Sequence, residues 1–231
     1  MAQIKTTQDR PCRGRPQVRP DSETRQVIYE AARHEFAGNG FASTSMEAVA
    51  RRAGVSTKTL YRLIPNKAAL FESMVSDRLD TFVSEVNLHA ADHTDIEAAL
   101  SAALMACADL ALDTEVIALQ RMILQEAGKF SEIAGMFYAN AIRRTTIALA
   151  DWLRTQQKRG LIALEDVEDA AGMLLGMVAS APRRAAMFGG VPLPSRPEIE
   201  ARVCTCAALF LRGCLVRAAT KPEVARPSAG K

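Results

Sequence analysis

The sequence has few of the residues on which catalytic and metal sites depend. None of its three histidines, His34, His89 and His93, stands beside a candidate nucleophile, and no glycine-rich loop would bind phosphates. His89 and His93 have helical spacing but no committed carboxylate partner, which is more typical of a solvated helix end than of a metal site. The sequence therefore predicts a protein that is not an enzyme and needs no metal or other cofactor.

Cysteine and long apolar runs are also scarce. Stretches such as residues 170–181 are too short to cross a bilayer, and the polar N-terminus does not resemble a signal peptide. The five cysteines show neither metal-ligand spacing nor the pattern of a disulfide-bonded secreted domain: Cys12, Cys107, Cys204, Cys206 and Cys214. We therefore expect a cytoplasmic protein.

Aromatic residues make up only 5% of the chain, whereas hydrophobic residues make up 48%, a balance typical of helical proteins rich in alanine and leucine. Patterns typical of strands are hard to find. Periodicity and capping signals predict an all-α protein with about nine helices, and Pro182 is predicted to kink the penultimate one. The longer helices are predicted at residues 21–38, 95–112, 114–127, 131–159, 164–188 and 197–218. Asp21 or Ser22 is expected to cap the first of them.

The clearest local signals lie between residues 44 and 70. The pattern Thr44-Ser45-Met46-Glu47 is a capping box that predicts a helix start at Thr44, and Gly54 supplies a left-handed residue for a short turn. Ser56 or Thr57 can cap a second helix, which Pro65 ends. This arrangement indicates a helix-turn-helix. Asn66 can cap a third helix, whose apolar spacing continues past Leu70 and predicts that it joins two domains.

The outward face of this unit is rich in donors and positive charge. No acidic residue occurs between Ala48 and Phe71, so the unit fits a polyanion although the net charge of the whole chain is only +3. The second helix is expected to meet base edges, and Lys67 a phosphate. The predicted DNA-contacting residues are Thr44, Ser45, Arg52, Ser56, Thr57, Lys58, Thr59, Tyr61, Arg62 and Lys67.

Residues 1–20 are basic and interrupted by prolines, which predicts a disordered arm. Within it, Arg13-Gly14-Arg15-Pro16 resembles the core of an AT-hook, whose arginines enter a narrow minor groove. Arg13 and Arg15 are therefore candidate DNA contacts. The alternative is a solubilising tail with nonspecific attraction to phosphate.

The stretch from Val27 to Leu70 resembles the N-terminal domain of TetR-family transcriptional regulators. Two positions depart from the family pattern: Leu63-Ile64 replaces a frequent His-Phe, which puts a phosphate contact from position 63 in doubt, and Asn66 replaces a usual Ser. The matching residues are Ala31, Phe36, Gly40-Phe41, Thr44, Ala50, Ala53-Gly54-Val55-Ser56, Thr59-Leu60-Tyr61, Lys67 and Leu70.

Residues 121–215 resemble, more weakly, the AefR-like type of TetR C-terminal domain. The two resemblances imply a DNA-binding domain at 21–68 and a ligand-binding and dimerisation domain at 69–219. The last residues, 220–231, are expected to be a disordered tail.

Small residues on the last two helices predict a homodimer, the alternative being that both faces are buried within one protomer. The predicted interface consists of Gly172, Gly176, Ala179, Ala208, Leu211 and Leu215. Methionines and aromatics could line a pocket for an uncharged lipophilic ligand, or fill a core. The predicted pocket residues are Met105, Met122, Phe137, Tyr138, Trp152, Met173 and Met177.

Together these features predict a homodimeric repressor that binds a palindromic DNA operator and is released by a small lipophilic effector. An ungated DNA-binding protein and an activator are the alternatives.

Overall fold

The computed structural model describes residues 19–91, 95–189 and 191–214, and these ranges are helical apart from short connections. They contain nine helices, in agreement with the predicted all-α class: α1 Asp21–Ser43, α2 Met46–Ala53, α3 Thr57–Leu63, α4 Lys67–Ala91, α5 Ile96–Ala111, α6 Thr114–Glu126, α7 131–158, α8 167–188 and α9 Arg196–Cys214. No helix in the described ranges is both long and apolar enough to cross a membrane.

Side chains begin several helices where the sequence predicts. The Ser56 hydroxyl accepts a hydrogen bond from the Thr59 N–H at 3.0 Å at the start of α3. The Asn66 side-chain oxygen accepts one from the Ala69 N–H at 2.8 Å at the start of α4. Each cap satisfies a backbone donor that the first helical turn leaves free.

Two capping predictions are wrong. Helix α1 begins directly after Pro20 without a side-chain cap, although Asp21 or Ser22 was expected to cap it. Helix α2 is capped by Ser45, whose hydroxyl accepts from the Ala48 N–H at 3.1 Å, and not by Thr44. Thr44 is only 3% exposed. Its hydroxyl lies 2.7 Å from the carbonyl oxygen of Gly40, so it stabilises the end of α1 instead.

Helices α1 and α4 share an aromatic cluster with the residue that precedes α7. Phe36, Phe41 and Phe71 are buried and pack with ring centroids 5.5 to 5.9 Å apart. Phe130, which precedes α7, packs edge-on against Phe41 at 5.5 Å. Helix α4 continues from this cluster to contact α5 and α7. It thus joins the helix-turn-helix unit to the C-terminal helices, as the sequence predicts.

Helices α7 and α8 each contain a π-helical turn, at Tyr138–Arg143 and Gly176–Ser180. The second lies just before Pro182, which has no N–H and therefore leaves the carbonyl of Val178 without its α-helical partner. In a π-helix the N–H bonds the carbonyl five residues earlier, so there the proline would leave the carbonyl of Met177 without a partner. The Nε of Arg202, on α9, donates to both carbonyls at 2.9 Å. The distortion expected from Pro182 is thus stabilised by a neighbouring helix.

Candidate DNA interface and ligand cavity

Helices α2 and α3 form a tight pair whose second helix presents its first turn to solvent. Gly54 has φ 67° and ψ 29°, the left-handed conformation that the sequence predicts there, and Leu60 is fully buried beneath α3. Thr57 and Lys58 are exposed and make no side-chain hydrogen bond with the described residues. Their donors are therefore available to a partner.

Two arginines beside this turn are held in position by carboxylates. The Nε of Arg52 donates to the buried Glu35 at 2.6 Å, and this bond above all lowers the pKa of Glu35. Arg62 makes two parallel bonds to Asp21 at 2.7 and 2.8 Å, which lower the pKa of Asp21. Both arginine side chains remain about half exposed. The Arg52 bond uses only Nε, so its two terminal nitrogens still face solvent.

Several other polar side chains of the helix-turn-helix form hydrogen bonds with one another. The hydroxyls of Ser56 and Thr59 lie 2.8 Å apart, and the Tyr61 hydroxyl donates to Glu47 at 3.2 Å. Ser45 caps α2 but is exposed. Arg13 and Arg15 lie outside the described residues.

The structure corrects the expectation for Lys67. Its ammonium donates to the backbone carbonyls of Phe41 at 2.6 Å, Ala42 at 3.1 Å and Thr44 at 2.9 Å. It also lies 4.6 Å from the centre of the Phe41 ring. Burial lowers the pKa of Lys67, while the Glu126 carboxylate acts in the opposite direction. The cation therefore binds the end of α1 instead of standing free for a phosphate.

A cavity of about 320 Å³ lies among the helices C-terminal to this unit, with Arg33 of α1 at its edge. Of the predicted pocket residues only Phe137 lines it. Both π-helical turns contribute to its wall, the first through Ala141 and Ile142 and the second through Ser180. Such turns are rare and are frequent at functional sites.

The other predicted pocket residues lie elsewhere. Trp152 is 2% exposed and Met122 is also buried, so both belong to the packed core. Tyr138 is 60% and Met173 65% exposed, while Met105 is half-buried against the core. Met177 lines a shallow groove between α8 and α9. Residue type alone predicted these positions, and it does not show which side of a helix faces the cavity.

The predicted dimer residues also divide. Gly172 and Gly176 line the cavity, as does Ala179, which is buried. Leu211 is buried within the protomer as well, whereas Ala208 is partly exposed. Leu215 lies outside the described residues. Ala179 and Leu211 are therefore buried within one protomer, which was the alternative to a dimer contact.

Charged residues that sequence reasoning missed surround the cavity. Arg78 donates to Asp113 at 3.1 Å, and Arg33 lies 3.4 Å from Glu115. Arg183 of α8 also lines the cavity. No local motif marks these residues, because their partners lie on other helices.

One group of side chains near the cavity has the composition of a metal site. The ligand atoms of Glu30, His34 and Glu115 lie within 4.8 Å of one another. Arg33, however, contacts both carboxylates. Its guanidinium supplies the positive charge that a metal ion would bring.

The short, exposed helix α3 held by a glycine turn, together with basic residues on one face, defines a helix-turn-helix DNA-binding protein. Two family models match the sequence: bacterial regulatory proteins of the tetR family at residues 28–74, and the AefR-like transcriptional repressor C-terminal domain at residues 98–213. The chain belongs to the TetR family of DNA-binding transcriptional regulators, which are not enzymes.

Solved structures have the same fold. A TetR-family regulator from Mesorhizobium loti is 27% identical, with 86% of this chain and 100% of that chain covered and a TM-score of 0.74. The flavonoid-responsive regulator FrrA is 25% identical over 85% and 100%, with a TM-score of 0.65. FadR of Bacillus subtilis in complex with stearoyl-CoA is 18% identical over 81% and 98%, also at 0.65. No curated protein matches the sequence.

Proposed function

We propose that the protein is a homodimeric repressor that binds a palindromic operator and is released by a small lipophilic effector. The observation that carries this proposal is the exposed first turn of α3, where Thr57 and Lys58 have no partner among the described residues. In helix-turn-helix proteins this part of the second helix meets base edges in the major groove.

The surrounding side chains fit contacts to the DNA backbone. Ser45, Tyr61 and Arg52 are exposed on the same unit. Arg62 is paired with Asp21, but exposed ion pairs contribute about 1 kcal/mol or less, so a phosphate can replace the carboxylate. These residues position α3, whereas Thr57 and Lys58 read the sequence.

A dimer follows from the shortness of α3, because two copies read two half-sites about 34 to 36 Å apart. Helices α8 and α9 offer an apolar surface for it. Met173 and Leu209 are largely exposed, and Met177 and Leu209 border the groove between the two helices. The proposed interface therefore includes Met173, Met177 and Leu209 together with the partly exposed Ala208, whereas Gly172 and Gly176 line the cavity.

The cavity is the proposed effector site. Arg33 of α1 and several residues of α4 line it, so a ligand there contacts the helix before the helix-turn-helix and the helix after it. Among the structural neighbours, FrrA is a flavonoid-responsive regulator and FadR of Bacillus subtilis is in complex with stearoyl-CoA. A difference of about 1 to 3 kcal/mol between ligand affinities for the free and DNA-bound states would change operator affinity about 5- to 150-fold.

Selection of bound sequences from a random DNA pool tests the DNA part of the proposal. The wild-type protein is expected to enrich a palindrome, and Thr57→Ala and Lys58→Ala to change the preferred bases. Lys129→Ala, which removes an exposed charge before α7, is the matched control and should enrich the wild-type palindrome. Enrichment of the same palindrome by all variants would remove α3 as the reading helix.

The selected palindrome then tests the direction of regulation. Placed across a promoter in a reporter strain, it should give lower expression when the protein is present. Higher expression would favour the activator alternative, and an affinity that no small molecule changes would favour the ungated one.

A further inference from the structure

We infer that the effector is an amphipathic anion, whose acidic group binds Arg183 and whose apolar part occupies the rest of the cavity. This inference rests on the proposed function, which makes the cavity the effector site. It replaces the uncharged ligand that the methionine and aromatic content of the sequence favours.

The cavity has an apolar interior contributed by several helices. Val75 and Leu79 of α4, Leu119 of α6 and Phe137 of α7 line it, and Leu119 and Phe137 are buried. Such walls bind a hydrocarbon chain or ring system by removing apolar surface from water.

Three arginines and two acidic residues line the cavity. Arg78 pairs with Asp113. Arg33 is shared between Glu115 and Glu30, which does not line the cavity. Arg183 makes no ion pair and no side-chain hydrogen bond with the described residues. Among the charged groups that line the cavity, one guanidinium therefore remains available to a ligand.

Two neutral polar side chains that line the cavity also have no hydrogen-bond partner among the described residues. Ser180 and Gln120 form no side-chain hydrogen bond with the described residues. By contrast, the hydroxyls of Thr145 and Thr146 already donate to the carbonyls of Ala141 and Ile142. Ser180 ends the π-helical turn of α8, three residues before Arg183. Both side chains can donate hydrogen bonds, so together with Arg183 they fit the oxygens of a carboxylate, sulfate or phosphate.

The charge also disfavours a purely apolar ligand. Such a ligand would remove water from the Arg183 guanidinium without giving it a partner, and an uncompensated charge in an apolar site is costly. An anion of the same shape replaces the lost water with charge-assisted hydrogen bonds. An anionic ligand should therefore bind more tightly than an uncharged ligand with the same apolar part.

Displacement of a neutral dye from the full-length protein tests the inference. N-phenyl-1-naphthylamine fluoresces in apolar surroundings, and decanoic acid, decanol and decylamine are competitors that differ only in the head group. Decanoate should displace the dye at about tenfold lower concentration than decanol, and decylamine should be weakest, since a hydrogen bond to a charged group is worth roughly a tenfold change or more. Decyl phosphate in parallel shows whether a carboxylate or a phosphate is preferred.

Variants assign the effect to one side chain. Arg183→Gln should abolish the preference for decanoate over decanol, and Arg183→Lys should retain part of it because the charge remains. Arg184→Gln is the matched control, because the adjacent arginine is exposed and does not line the cavity. Equal displacement by decanol and decanoate in the wild type, no displacement by either, or an unchanged preference in Arg183→Gln would each overturn the inference.

The proposed function fails in a different way. If decanoate binds through Arg183 but leaves the affinity for the selected palindrome unchanged, the head-group assignment stands and the cavity is not a regulatory site.

Discussion

At the scale of single residues, Gly40 has the conformation least tolerant of substitution. Its φ is +81°, and a Cβ added there would lie 2.7 Å from a carboxylate oxygen of Glu126. That carboxylate accepts a hydrogen bond from the Ala42 N–H at 3.1 Å, which ties α6 to the end of α1. Although the Glu126 side chain could move, the positive φ remains unfavourable for any L side chain.

We therefore expect Gly40→Ala to lower the free energy of unfolding by about 1 to 3 kcal/mol in urea titrations. Gly38→Ala is the control, because a Cβ at that helical position meets open space and alanine favours helix. It should leave stability unchanged or slightly raised. Equal stability of the two variants would show that the left-handed residue is not a constraint.

The two lysines of the DNA-binding unit should differ in what their loss affects. Lys67→Ala removes an ammonium that contacts three carbonyls, so we expect a loss of roughly 1 to 3 kcal/mol in stability. Lys58→Ala removes an exposed, unpaired ammonium and should change stability by less than about 0.5 kcal/mol while weakening DNA binding. Urea unfolding and salt-dependent DNA titrations of both variants measure these effects. A destabilised Lys58→Ala with an intact Lys67→Ala would reverse the assignment.

Lys67 also shows what sequence reasoning can and cannot supply at this scale. The caps at Ser56 and Asn66 were predictable because donor and acceptor stand three residues apart. Lys67 reaches carbonyls more than twenty positions earlier, and Arg62 reaches Asp21 across forty-one. Such pairs depend on how helices pack, and a single sequence does not contain that information.

At the scale of helices, α8 and α9 are coupled through the carbonyls of Met177 and Val178, which precede Pro182 and accept from Arg202. We expect Arg202→Gln to cost about 1 to 2 kcal/mol, because these carbonyls lose their donor. In a Pro182→Ala background the restored N–H can bond Val178, so the same substitution should cost less by about 0.5 kcal/mol or more. A double-mutant cycle in urea measures this difference.

Arg212→Gln serves as the control for that cycle, since Arg212 is exposed on α9 and makes no side-chain bond with the described residues. Its cost should be small and independent of Pro182. Additive costs for Arg202→Gln and Pro182→Ala would mean that the arginine does not compensate for the proline.

Helix bounds were easier to predict than helix faces. The predicted ranges 114–127 and 131–159 agree with α6 and α7 to within one residue, because Gly128 and Gly160 follow the two helices and Asp113 caps the first. The pocket prediction relied on side-chain type, and it placed the exposed Tyr138 and the core residue Trp152 in one wall. The π-helical turn at Tyr138–Arg143 shifts the facing of every later residue of α7, and no sequence signal marks it.

At the scale of the whole molecule, the cavity and the DNA unit are linked by packed helices. Helix α1 packs along α6, and both line the cavity. The far end of α6 carries Glu126, which holds the segment after Gly40 next to Lys67 and the start of α4. Under the proposed function, a ligand that moves α6 would therefore act on the helix-turn-helix through α1 as well as through α4.

The proposed binding to a palindrome requires two protomers, and Leu209 tests their interface. It is 55% exposed on α9 beside the α8 groove, so Leu209→Arg should place a charge in the proposed dimer contact and give a monomer in sedimentation experiments. Because one α3 then reads only one half-site, affinity for the selected palindrome should fall about tenfold or more. Leu124→Arg is the control, since Leu124 is 67% exposed on α6 and should leave the dimer intact. A dimeric Leu209→Arg with wild-type affinity would move the interface away from α8 and α9.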